Sequence, residues 1–195
     1  MLKLPFLVVV VCSLTVTPAA FAKETALPTE QDLIAMIQSD AAKSEKAIAC
    51  KQLAVVGTEA SVATLSPLLR DPELASWARI ALQAIPGSSV DEALIEALND
   101  DIEVRTRIGI ANTLGKRASE AAVEPLVAAL DDPDTIRAES AAVSLGQIGG
   151  KAAQESLAKA LQNASSLQVR NGAAEGLILM AEAAMRSGDK QSAIE

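Results

Sequence analysis

Histidine and tyrosine are absent from this chain of 195 residues, and its aromatic side chains stop at Phe6, Phe21 and Trp77. Without histidine the commonest general base and a principal zinc ligand are missing, which removes most acid–base and metal-hydrolytic schemes. Cysteine is scarce too, with Cys12 and Cys50 alone. One thiol in the body of the chain builds neither a disulfide framework nor a zinc site. Runs of Lys and Arg are missing, and acids outnumber bases 25 to 17. That balance argues against binding a phosphate backbone, which needs clustered cations. A core with so few rings has to be filled by Leu, Ile, Val and Ala, and Leu and Ala are strong helix formers. The expected fold class is all-α.

Residues 1–22 form a separate unit. Met1-Leu2-Lys3 carries positive charge, Leu4 to Val16 is largely apolar, and Ala20-Phe21-Ala22 has the small-x-small pattern of a cleavage site. Together these predict a secretory signal peptide, too short to span a bilayer comfortably. Val9-Val10-Val11 before Cys12 lacks the residues that lipid attachment favours. Cleavage after Ala22 removes Lys3 and no acid, leaving 16 basic and 25 acidic residues. The mature chain is expected to be exported, periplasmic or secreted, and not inserted in the membrane. Its acidity favours a basic protein or peptide partner. Cys50, flanked by Ala47, Ile48 and Leu53, is expected to be a buried apolar side chain, since no histidine exists to activate it.

What the chain does have is a repeat. An alanine-rich stripe closes at Leu53, Ile85, Leu114, Leu145 and Leu177, at intervals of 29 to 32 residues. A second aliphatic stripe follows each of the first four, as in Val123, Leu126, Val127 and Leu130, whose i, i+3, i+4, i+7 spacing is one face of an α-helix. An acidic turn comes next, at Asp71, Asp100 and Asp132, with Asn163 in the fourth unit. A basic residue then opens the next stripe: Arg79, Arg107, Arg137 and Arg170, with Lys46 in the first. Each period therefore holds two short helices. Asp132-Pro133 is expected to be an N-cap and first helical residue, and the glycine after each first stripe a helix stop. Pro67, inside a second helix, predicts a kink or late start. One helix pair buries too little to offset the entropy of ordering it, so the units must stack and share apolar faces.

"AVEPLVAALDDPD" (Ala122 to Asp134), preceded by Leu114-Gly115, and "IRAESAAVSLGQIG" (Ile136 to Gly149) resemble HEAT repeats of the phycobilisome-lyase-like type. The segment from Glu45 to Gly87 is similar to the first two repeats of exported bacterial HEAT-repeat proteins. The resemblance implies a right-handed α–α superhelix, an α-solenoid over residues 44–180. Residues 23–43 supply a leader and a capping helix, for which Thr29-Glu30-Gln31-Asp32 is the expected capping box. Residues 181–195 form a helical end whose Ser187-Gly188-Asp189 resembles the middle of a tetratricopeptide-like hairpin, an end that stops short and suggests a natural chain continuing past Glu195.

The function implied is a non-catalytic scaffold that binds a protein or peptide through its second helices, with Glu96, Glu124, Glu155 and Lys159 as candidate contacts. No catalytic residue, metal or cofactor is expected. Asp71, Asp100, Asp132, Arg79, Arg107, Arg137 and Arg170 are assigned to a structural ladder of turn carboxylates and arginines. A carboxylate-binding arginine stripe is the alternative for them. Trp77 is expected to pack in the core. Ser156-x-x-Lys159 fits a serine–lysine pattern but lies within a helix and has no companion motif. Other functions kept open are a module of a longer protein with its activity elsewhere, and a bilin-lyase-like accessory. Di-iron chemistry, which some HEAT proteins perform with His-Glu pairs, is excluded by the absent histidine.

Overall fold

The computed structural model describes residues 27–188. The predicted signal segment, residues 1–22, lies outside the described residues, as does the hairpin continuation past residue 188. Within the described residues ten α-helices follow one another: α1 (Glu30–Gln38), α2 (Lys43–Val56), α3 (Val62–Leu65), α4 (Ala75–Ala84), α5 (Ser88–Asn99), α6 (Val104–Lys116), α7 (Val123–Ala128), α8 (Thr135–Ile148), α9 (Lys151–Asn163) and α10 (Leu167–Ser187). Among the described residues there are no strands.

The helices form two layers. The first helices of the units, α2, α4, α6, α8 and α10, pack each against the next. The second helices, α3, α5, α7 and α9, lie against them, and α1 packs on α2. The core is continuous along the stack: Leu33, Leu53, Leu65, Leu82, Leu94, Leu114, Leu126, Leu145 and Leu157 are all essentially inaccessible. Every unit thus contributes leucine to a shared interior, which is why the stripes recur.

The start is capped as the sequence implies. The Thr29 side chain accepts a hydrogen bond from the Asp32 N–H, and the Asp32 carboxylate accepts from the Thr29 N–H at 2.9 Å. Leu33 and Ile37 of α1 are buried, so α1 covers an apolar face that the first unit would otherwise expose to water.

Several local expectations need correction. Ile85 is not the closing residue of the second stripe. It is the extended C-cap of α4, buried just past the helix end, and the leucine inside α4 is Leu82. The N-cap of α8 is Asp134, not Asp132: its carboxylate accepts from the N–H groups of Ile136 and Arg137. Asp132 instead accepts from the Asp134 N–H at 2.8 Å and holds the turn.

The second helices of units one and three are also less regular than their stripes predict. Residues 59–70 run as a 3-10 turn, α3 and a second 3-10 stretch holding Pro67 near its start. Residues 120–131 do the same around α7, where Pro125 is in the first turn. Proline removes an N–H and crowds the preceding turn, so these helices are interrupted rather than kinked. Of the aliphatic set Val123, Leu126, Val127 and Leu130, only Leu126 is fully buried.

Glycines serve both as helix caps and inside helices. Gly57 and Gly149 are helix C-caps. Gly115 and Gly146 are not stops: they lie inside α6 and α8 and are buried. The missing side chain at Gly146 lets the α8 backbone meet that of Gly176 on α10, and a Cβ at Gly176 would sit 2.7 Å from the Ala142 carbonyl oxygen. α6 stops instead at Ala118, a non-glycine in the left-handed region (φ 51°), where the Ser119 N–H reaches back to the Leu114 carbonyl at 3.1 Å.

Candidate functional site

The inter-repeat turns carry most of the charged contacts. Lys43, at the start of α2, reaches Asp71 Oδ2 at 3.1 Å and Glu73 Oε1 at 2.7 Å. Asp71 also accepts from the N–H groups of Glu73 and Leu74. Burial pushes the Asp71 carboxyl up, but these N–H donors and Lys43 together outweigh it and hold its pKa below the usual value. Arg70 pairs with Asp100. Arg107 meets Asp101, not Asp100, at 3.3 Å, and its Nε donates to the Ile102 carbonyl. Arg137 pairs with Asp132 at 2.9 Å.

Two of the predicted ladder residues depart from this scheme. Arg79 donates to Thr113 Oγ1 at 2.9 Å and makes no ion pair among the described residues. Arg170 is half-buried on α10 and has no ion pair among them either. The ladder therefore runs through Lys43 and Arg70 as well as Arg107 and Arg137.

Sequence patterning misses two polar centres. The first is Arg117, just past α6. Its Nε lies 2.5 Å from Asp91 Oδ1, and its Nη groups donate to the carbonyls of Leu82, Gln83, Ile85 and Gly87. One guanidinium thus caps the C-terminus of α4 and ties it to α5. The second is Glu30, whose carboxylate accepts from Ser61 Oγ at 2.6 Å and from the Thr58 N–H at 2.6 Å. The Ser61 bond first, then the Thr58 backbone bond, draws its pKa below the ordinary value. Neither shows in a repeat pattern, because each occurs once and bridges elements about 30 residues apart.

Glu96, Glu124, Glu155 and Lys159 are all exposed, on α5, α7 and α9. Two weak surface pairs involve them: Glu96 is 3.4 Å from Arg70, and Glu155 is 3.7 Å from Lys151. Around them the second-helix layer exposes Glu59, Glu92, Glu120 and Asp131 as further acids, against Arg70, Lys151 and Lys159 as bases. The first-helix layer differs. Its exposed side chains in the first two units include Ile48, Val55, Trp77 and Ile80. Trp77, 40% exposed, is on the surface of α4 and not in the core. The core side of α4 is taken by Ala75, Ala78, Ala81 and Leu82, which leaves the ring no room inward.

Cys50 is fully buried on α2, and desolvation raises its thiol pKa to about 11. A thiolate is then essentially absent at neutral pH. Iodoacetamide is expected to leave Cys50 unmodified in the native protein at pH 8 and to alkylate it fully in denaturant, as mass spectrometry will show. Rapid native labelling would contradict this burial. Among the described residues no group of three His, Cys, Asp or Glu side chains could hold a metal, and no helix is long and apolar enough to cross a membrane.

The described residues are all-helical, in stacked helix pairs with a common leucine core, an arrangement consistent with a repeat solenoid. Residues 92–178, from α5 into α10, match the family model described as HEAT repeats. No curated protein matches the chain. The first unit and α4 lie outside the matched span and join it by continuing the same two layers.

Proposed function

We propose that this chain is a non-catalytic, exported scaffold that binds a basic polypeptide along its second helices. The repeats form a right-handed superhelix of the phycobilisome-lyase-like HEAT type, and the mature protein begins at Lys23. The observation that carries this reading is the layer asymmetry. The second-helix face exposes seven carboxylates and three cations, with Glu96, Glu124 and Glu155 on three successive units. Such a row presents a spaced negative potential that suits Lys and Arg side chains of an extended partner.

The reading predicts that the purified protein binds a fluorescein-labelled Lys/Arg-rich peptide in an anisotropy titration, with affinity falling as salt rises. The triple variant Glu96→Lys, Glu124→Lys, Glu155→Lys is expected to lose about 100-fold, roughly 1 kcal/mol for each reversed charge near a bound cation. Because these side chains are exposed, the variant should retain its helical circular dichroism. Equal binding by wild type and variant would remove the second-helix face from the proposal. Amino-terminal sequencing of the envelope-derived protein tests export, and a start at Met1 would contradict it.

A further inference from the structure

Four inter-repeat cations end on a carboxylate: Lys43 on Asp71 and Glu73, Arg70 on Asp100, Arg107 on Asp101, and Arg137 on Asp132. Arg79 does not. Among the described residues its one hydrogen bond is to a neutral hydroxyl, that of Thr113, which itself donates to the Gly109 carbonyl. Asp71, the acid of the turn before α4, is already engaged by Lys43 and two backbone N–H groups. Arg79 is half-buried, and desolvation draws its pKa below the ordinary arginine value. An arginine stays charged in proteins whatever its surroundings. This half-buried guanidinium therefore has four N–H donors that meet no protein acceptor among the described residues, and no ion pair among them balances its charge.

Space has been left for it. A Cβ at residue 109 would lie 2.8 Å from Arg79 Nε, so the Arg79 side chain passes close over the α6 backbone at Gly109, where a larger residue would make it shift. Arg79 lines a cleft of about 590 Å³, with Ser76 from α4 and Arg105 and Thr106 from α6 on its walls. Glu103 also borders it. Two guanidinium groups against one carboxylate leave a single net positive charge, which matches a monoanion.

We propose that the α4–α6 cleft is a binding site for a carboxylate, held by the Arg79 guanidinium with the Ser76 and Thr106 hydroxyls donating and Arg105 closing from the rim. The planar guanidinium fork fits a carboxylate through two parallel hydrogen bonds, whereas phosphate dianion would over-compensate the local charge and meet Glu103. The site belongs to the first-helix layer and does not depend on the acidic second-helix face.

The test is a titration of the isotope-labelled full chain, followed by amide and arginine Nε resonances, with glutarate monomethyl ester, with the peptide N-acetyl-Ala-Glu-Ala-amide, and with inorganic phosphate. Saturable shifts at Gly109 and Arg79 are expected, with a dissociation constant below about 10 mM for carboxylate. Whichever carboxylate binds tighter identifies the source as a small acid or an acidic side chain. Arg79→Lys should weaken binding about tenfold by losing the fork. Arg105→Gln and Ser76→Ala, at exposed positions, should also weaken it while the fold is intact. No shift with either carboxylate, phosphate binding as tightly as carboxylate, or unchanged affinity in all three variants would overturn the site.

Discussion

Substituting Gly146 with alanine is expected to destabilise the protein, although alanine is the better helix former. Propensity by itself would stabilise α8 by about 1 kcal/mol. Packing reverses the sign. The added Cβ would overlap the backbone of Gly176 on α10, at its Cα, its carbonyl carbon and its oxygen. A backbone cannot rotate away as a long side chain can, so α8 and α10 must separate, and the layer contact between them loosens along its length. A net loss of about 2–3 kcal/mol is expected for Gly146→Ala, and more for Gly146→Val. At this chain length that lowers the melting temperature by about 4–12 °C. Hydrogen exchange should localise the loss: α10 amides lose protection while α2 and α4 keep theirs, because a repeat stack is held by nearest-neighbour interfaces. A melting temperature equal to wild type would mean that the two backbones are not in contact.

Arg117→Ala is expected to cost about 3–5 kcal/mol, the range for breaking a buried pair by removing one partner. The Arg117 side chain is 11% exposed and that of Asp91 20%, so solvent screens the pair little. The alanine variant strands the Asp91 carboxylate and leaves the carbonyls of Leu82, Gln83, Ile85 and Gly87 without this donor at the end of α4. Arg117→Lys keeps the charge but offers a single ammonium in place of a planar fork that spans four carbonyls. It should recover less than half of the loss in urea-unfolding free energy. Full rescue by lysine would reduce the role of Arg117 to charge alone, and a cost under 1 kcal/mol would make it a surface contact.

Both residues show where patterning falls short. Gly146 follows Leu145 in a repeating stripe and looks like a stop signal, as Gly57 and Gly149 do. Its role depends on Gly176, 30 residues later, meeting it at the crossing of two helices. Arg117 sits in a turn where a cation attracts no notice, and its acceptors are mainly backbone carbonyls, which have no letter in the sequence. Trp77 fails for another reason. Apolar residues line α4 on several sides, at Ala75, Trp77, Ala78, Ile80, Ala81 and Leu82, so periodicity cannot say which face turns inward. The layer contacts decide it in favour of the small residues, because neighbouring first helices approach too closely for an indole.

The candidate face was legible for the opposite reason. Glu96, Glu124 and Glu155 recur on the polar side of amphipathic stripes, and a charged side chain opposite a leucine row stays in water. Asp71 and Asp132 were legible as turn acids, though the cation each one meets was not: Lys43 takes Asp71, and Arg79 is left to Thr113.

Composition and period alone determined that this chain is helical, that its helices come in pairs, and that the pairs share one leucine interior, since those follow from side-chain size and from the 3.6-residue turn. Only the tertiary structure decided which helix ends are tied to which, where two backbones touch, and which ladder arginines have no ion pair among the described residues. Those are set by distances between units about 30 residues apart, and no local periodicity encodes a distance.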